Sequence, residues 1–144
     1  MKQISNSPEQ TKQIASDLAL CLKGGEVVLL EGELGAGKTT FTQGFAEALG
    51  VVDPVRSPTF TIMNIYKTDR SDIKEIIHLD FYRLQESSVH LEDLGLDEWL
   101  GRDDVVIIAE WPPEGLDLLG INKVIVISLE VISEKDRSIS IENS

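Results

Sequence analysis

The residues with the clearest chemistry are consecutive: Gly32-Glu33-Leu34-Gly35-Ala36-Gly37-Lys38-Thr39 fits G-x-x-x-x-G-K-[ST] in full. Glycines at these spacings let a chain take positive φ, so successive N–H groups turn inward and approach phosphate oxygens closely. The amides of Glu33, Leu34, Gly35, Ala36, Gly37, Lys38, Thr39 and Thr40 are the candidates for that cradle. Lys38 would neutralise β- and γ-phosphate charge, and the Thr39 hydroxyl would ligate Mg²⁺. With glycine near 7% of residues, a random chain of this length matches the pattern less than about 1% of the time. The chemistry expected here is binding of a nucleoside triphosphate.

Such a site needs a carboxylate. Asp80 ends the run "IIHL" and Glu110 ends "VVIIA". Ligands of parallel α/β sheets sit beyond the carboxyl ends of the strands. If both runs are strands parallel to the one preceding the glycine loop, both acids land beside the phosphates. Arg56 and Arg83 are candidates to neutralise transition-state charge or to pair with an acid. His78 reads as a core histidine near the site, and Trp111 as a core residue or one packed at the site mouth.

Elements with the right order flank these residues. Ser7-Pro8-Glu9-Gln10 reads as a helix start with a capping-box spacing. Ile14, Leu18 and Leu22 follow at helical spacing, and Gly24-Gly25 ends the helix. Residues 26–31 read as an apolar strand, and 39–49 as a helix stopped by Gly50. Residues 59–66 and 73–80 read as strands of a hairpin, which would bring residues 56–60 to the phosphate edge. Residues 86–101 read as helical. Residues 105–110 lack alternation, as in a strand covered on both faces. Residues 123–133 and 137–141 read as strands around the turn "SEKD". Together these predict an α/β fold of the P-loop NTPase-like three-layer kind, as one domain over residues 1–144. Its sheet is mixed and mostly parallel, with antiparallel hairpins and helices on both faces.

The chain has 144 residues and 42% hydrophobic residues, enough to build a core. Its net charge of −12 argues against broad binding to nucleic acid or an anionic membrane. The single cysteine, Cys21, reads as a small core residue. No apolar run suits a signal peptide or a membrane span, so a cytoplasmic location is expected. From Glu86 to Asp117 there are ten acids and one base, Arg102. That stretch is either a solvated face or a docking surface for a basic protein patch.

The segments "GELGAGKTTF", "SPTFTI", "HLDFYR", "LGLDEW" and "AEWPP" resemble, in order, those of the TsaE (YjeE) family of small bacterial P-loop ATPases. The resemblance spans roughly residues 7–113. It implies a weak ATPase that supports homologues of TsaD and TsaB in forming threonylcarbamoyladenosine at position 37 of tRNAs. It further implies that tRNA is met through the complex, without sequence-specific contact by this chain. By position, the resemblance makes Thr39 and Glu110 ligands of Mg²⁺, and Lys38 and the loop amides holders of ATP. Asp80 matches an aspartate required for activity. Ser57, Pro58, Thr59, Phe60 and Thr61 match a switch-like segment, and Trp111 a tryptophan beside the catalytic glutamate. Thr11 matches the segment that holds adenine, and a base contact near residues 134–137 fits only weakly.

Other readings compete. A GTPase would carry N-K-x-D, and Asn122-Lys123 has Ile125 where the aspartate belongs. A small-molecule kinase would carry an arginine-rich lid, and the five arginines here do not cluster. A regulatory module that binds ATP without turnover is the third.

Overall fold

The computed structural model of the chain describes residues 1–33, 35–52, 63–81, 96–99, 102–110 and 123–143. In chain order these form β1 (Lys2–Ser5), α1 (Pro8–Cys21), β2 (Val27–Gly32), α2 (Lys38–Ala48), β3 (Met63–Lys67), β4 (Glu75–Asp80), α3 (Leu96–Trp99), β5 (Val105–Glu110), β6 (Val124–Val131) and β7 (Arg137–Asn143). The expected switch-like residues 57–61, with Leu34, Arg56, Arg83 and Trp111, lie outside the described residues, as do Glu92, Asp93 and most of the expected helix over 86–101.

The seven strands form one sheet in the order β1-β7-β6-β2-β5-β4-β3. Its centre, β6-β2-β5-β4, is parallel. β3 runs antiparallel to β4 at one edge, and β7 and β1 continue antiparallel at the other. The mixed, mostly parallel sheet with flanking hairpins agrees with the sequence reading.

Period-2 alternation sorts each central strand between two cores. Val28, Leu30, Ile76, Val106, Ile108, Ile125, Ile127 and Leu129 join Ile14, Ala15, Ala19, Phe41, Phe45 and Leu49 of the helix pair α1 and α2. The other set, Val27, Leu29, Ile77, Leu79, Val105, Ile107 and Ala109, makes a second core against which Trp99 of α3 packs. Phe41 and Phe45 are fully buried, each contributing about 1.5–3 kcal/mol by leaving water.

Local signals explain the ends of α1. Ser7 Oγ accepts from the Gln10 amide at 3.1 Å, satisfying one of the orphan donors of the first turn. Gln10 Oε1 reaches back past the cap to the Asn6 amide at 2.7 Å. At the other end, the Arg70 guanidinium donates to the carbonyls of Ala19 and Leu22.

One expectation is corrected. Cys21 is exposed because the buried face of α1 runs through Thr11, Ile14, Ala15 and Ala19, and position 21 lies about 200° from Ala19 at 3.6 residues per turn.

Helices α1 and α2 meet at Gly44, where a Cβ would stand 2.6 Å from the Lys12 Cα and carbonyl oxygen. Alanine has the higher helix propensity, by about 1 kcal/mol, yet backbone cannot move aside as a side chain can. Gly44→Val should therefore destabilise the fold by roughly 1–3 kcal/mol. Urea unfolding checks this, and an unchanged midpoint would mean the helices part without penalty.

Candidate functional site

The loop after β2 enters α2 directly, with Gly37 as its N-cap at φ 102°. A side chain is strained in that left-handed conformation, whereas glycine adopts it freely. Gly35 also has positive φ, at 83°. The Ala36 amide closes a turn onto the Glu33 carbonyl at 3.0 Å, so that one expected phosphate donor is engaged within the loop. A helix N-terminus, whose first amides lack intrahelical partners and whose dipole end is positive, suits an anion.

Lys38 opens the helix and is buried. Its Nζ donates to the Gly32 carbonyl oxygen at 2.5 Å, folding the side chain back over the loop. Burial pulls its pKa below the ordinary lysine value, while the nearby charges of Glu110 and Asp80 oppose that shift. Thr39 follows, half-buried in the first turn of α2.

The sheet register supplies the acids. Leu30 of β2 stands opposite Glu110 of β5, and Glu110 stands opposite Asp80 of β4. Both acids end their strands at the edge of the sheet from which the glycine loop leaves. Alternation turns them to the face that carries α2, and both are buried. Asp80 and Glu110 are register partners, and Lys38, distant in sequence, lies close enough to feel the charge of both. β3 begins at Met63, opposite Leu79, one residue from Asp80.

One neighbour was underestimated by the sequence reading. His78 is fully buried two residues before Asp80, and its Nε2 donates to Glu110 Oε2 at 2.5 Å. Its Nδ1 is buried without a partner among the described residues; an unsatisfied buried polar atom costs about 1–3 kcal/mol. The Tyr66 ring lies beside it, with centroids 6.3 Å apart. The signal available in sequence was the spacing H-x-D at the end of a buried strand, which puts histidine and aspartate on one face.

A cleft of about 530 Å³ opens beside the loop, lined by Asn6, Ser7, Pro8, Thr11, Gly35, Gly37, Thr40, Glu134, Lys135 and Arg137. Thr11 is buried at its wall, its hydroxyl sharing a 2.6 Å hydrogen bond with Ser5 Oγ. Glu134 and Lys135, in the turn between β6 and β7, and Arg137 at the start of β7 also line it. Arg137 braces that turn through the Ser133 carbonyl at 2.8 Å and reaches the Gly35 carbonyl at 3.3 Å. Thr11, Thr40 and the 134–137 turn are therefore brought together around the glycine loop.

The chain is similar to known proteins over most of its length. A family model described as "Threonylcarbamoyl adenosine biosynthesis protein TsaE" matches residues 5–139. The tRNA threonylcarbamoyladenosine biosynthesis protein TsaE of Bacillus subtilis (strain 168) is 49% identical over 105 residues, which span 73% of this chain and 62% of that protein. The protein of the same name from Aquifex aeolicus (strain VF5) is 37% identical over 140 residues, 96% of this chain and 92% of its own length. The crystal structure of Bacillus subtilis YdiB superimposes with a TM-score of 0.71 at 33% identity, covering 98% of this chain and 83% of that one.

Proposed function

Because the chain belongs to the TsaE family of tRNA threonylcarbamoyladenosine biosynthesis proteins, we propose that it is a Mg²⁺-dependent ATPase. It would act with homologues of TsaD and TsaB in forming threonylcarbamoyladenosine at position 37 of tRNAs. The observation that carries this reading is the meeting of Lys38, Asp80 and Glu110 at the N-terminus of α2.

In this reading the phosphates lie along the loop amides of residues 33–40, and Lys38 exchanges its contact with the Gly32 carbonyl for β/γ-phosphate oxygens. The cleft bounded by Thr11 and residues 134–137 receives the nucleoside. Thr39 and Glu110 offer hard oxygen ligands, and Mg²⁺ habitually takes one or two protein oxygens and completes its shell with phosphate and water. They fit that ion, which when bound would offset charge on the transferring phosphoryl group. Asp80 and Glu110 are the two groups placed to orient an attacking water or accept its proton. Residues 57–60 and Trp111 are assigned the switch-like role by family position. With a net charge of −12, tRNA is met through the partners, because the field of this chain repels phosphate backbones.

Phosphate release from Mg·ATP and Mg·GTP, with and without purified TsaD–TsaB, tests the proposal. The expected result is weak ATP turnover by the chain alone, raised by the partners and absent without Mg²⁺. Equal or greater GTP turnover would favour a GTPase. ATP binding with no release in any condition would favour a regulatory module. Transfer of phosphate to a small acceptor would favour a kinase.

A further inference from the structure

The geometry points to His78 as the positioning residue that aims Glu110, a role that rests on reading this site as a Mg·ATP site. His78 on β4 stands in register with Ile108 of β5, so its side chain reaches diagonally along one face to Glu110. The 2.5 Å bond from Nε2 to Oε2 joins two buried groups, where no solvent competes. Among the described residues it is the only hydrogen bond made by the Glu110 side chain. Without it, rotation about the side-chain torsions would swing the carboxylate, and nothing else described would hold it. With it, Oε2 is fixed and the orientation of the carboxylate is set.

The orphaned Nδ1 argues that this bond is what the histidine is there for. A carboxylate can only accept, so in this bond Nε2 carries the proton. Nδ1 is buried with no partner among the described residues. An apolar side chain would fill the same space between β3 and β5 without stranding a polar atom. Buried polar groups left unsatisfied call for such an explanation, and carboxylates at metal sites are commonly oriented by a hydrogen bond from a residue that never touches the ion.

Three variants test the assignment: His78→Leu, His78→Gln and His78→Asn. A glutamine amide nitrogen can stand where Nε2 stands, whereas an asparagine reaches only the place of Nδ1. For each, calorimetry measures ATP affinity in EDTA and in Mg²⁺, and turnover is followed against Mg²⁺ with the partners present. The leucine and asparagine variants should keep the EDTA affinity. They should lose about 10–100-fold in apparent Mg²⁺ affinity or in kcat, the usual effect of removing such a partner. The glutamine variant should recover most of that loss. If leucine fails to fold, the asparagine–glutamine pair carries the same comparison. Wild-type Mg²⁺ dependence and kcat in the leucine or asparagine variants would overturn the role. So would equal impairment of the asparagine and glutamine variants together with weakened EDTA affinity, which marks a merely structural histidine. Absence of turnover in the unmodified protein would count against the ATPase reading alone, because the Mg²⁺ dependence of ATP affinity judges His78 without hydrolysis.

Discussion

A Lys38→Ala variant should bind ATP roughly 30-fold to 4,000-fold more weakly than the unaltered protein. Removing one partner of a buried, hydrogen-bonded charge pair costs roughly 2–5 kcal/mol, and each 1.4 kcal/mol is about tenfold in affinity. Lys38 is buried and folds over the loop onto the Gly32 carbonyl, so it is already placed where phosphate oxygens would lie. Burial lowers its pKa, while Glu110 and Asp80 oppose that shift. In the alanine variant the two acids keep their negative field and nothing opposes it at the phosphate end. Isothermal calorimetry with ATP and with ADP, alongside thermal melting to show that the variant folds, checks the expectation. Unchanged affinity would remove the phosphate-loop reading itself. Arginine would be a poor rescue, because its planar guanidinium does not fit the course of a folded-back alkyl chain.

Glu110→Gln should lower ATP turnover by about 100-fold or more, the range expected when a group that handles a proton in the transition state is lost. ATP binding should persist, since the amide removes negative charge beside the phosphates and keeps the side chain's shape. The His78 bond also survives in this variant, because the glutamine amide oxygen accepts from Nε2. Geometry is therefore held while charge changes, and the loss can be assigned to charge. Following turnover against Mg²⁺ separates the two roles. A raised Mg²⁺ requirement marks a metal ligand, and an unchanged requirement with low kcat marks a base. Wild-type turnover would pass the metal role to Asp80, the register partner of Glu110, and Asp80→Asn would then show the larger loss.

The local part of this protein was readable from sequence because its causes are local. The loop of residues 32–39 needs backbone conformations that glycine adopts freely, so Gly35 and Gly37 had to appear in the chain itself. The start of α1 is written in Ser7, Pro8 and Gln10, which satisfy or dispense with amides one turn away. The buried strand 105–110 announced itself by apolar residues without alternation, as a strand with a core on either side must be. The glycine-loop motif placed Thr39, the ends of two apolar runs marked Asp80 and Glu110, and the chain order of the motifs carried the family.

What tertiary structure alone decided are pairings between distant residues. β1 has no apolar run and becomes a strand only because β7 offers it an edge to pair with. Arg137 reaches Gly35 across most of the chain, and both line the cleft. Cys21 falls outside the core through the phase of α1. Above all, the sheet register decides that His78, Asp80 and Glu110 face α2 and Lys38. A slip of one residue in either strand would turn those side chains to the opposite core. Residue types thus set which chemistry the chain can offer, and strand pairing sets which of those groups meet, because hydrogen-bond register joins residues that no local spacing relates.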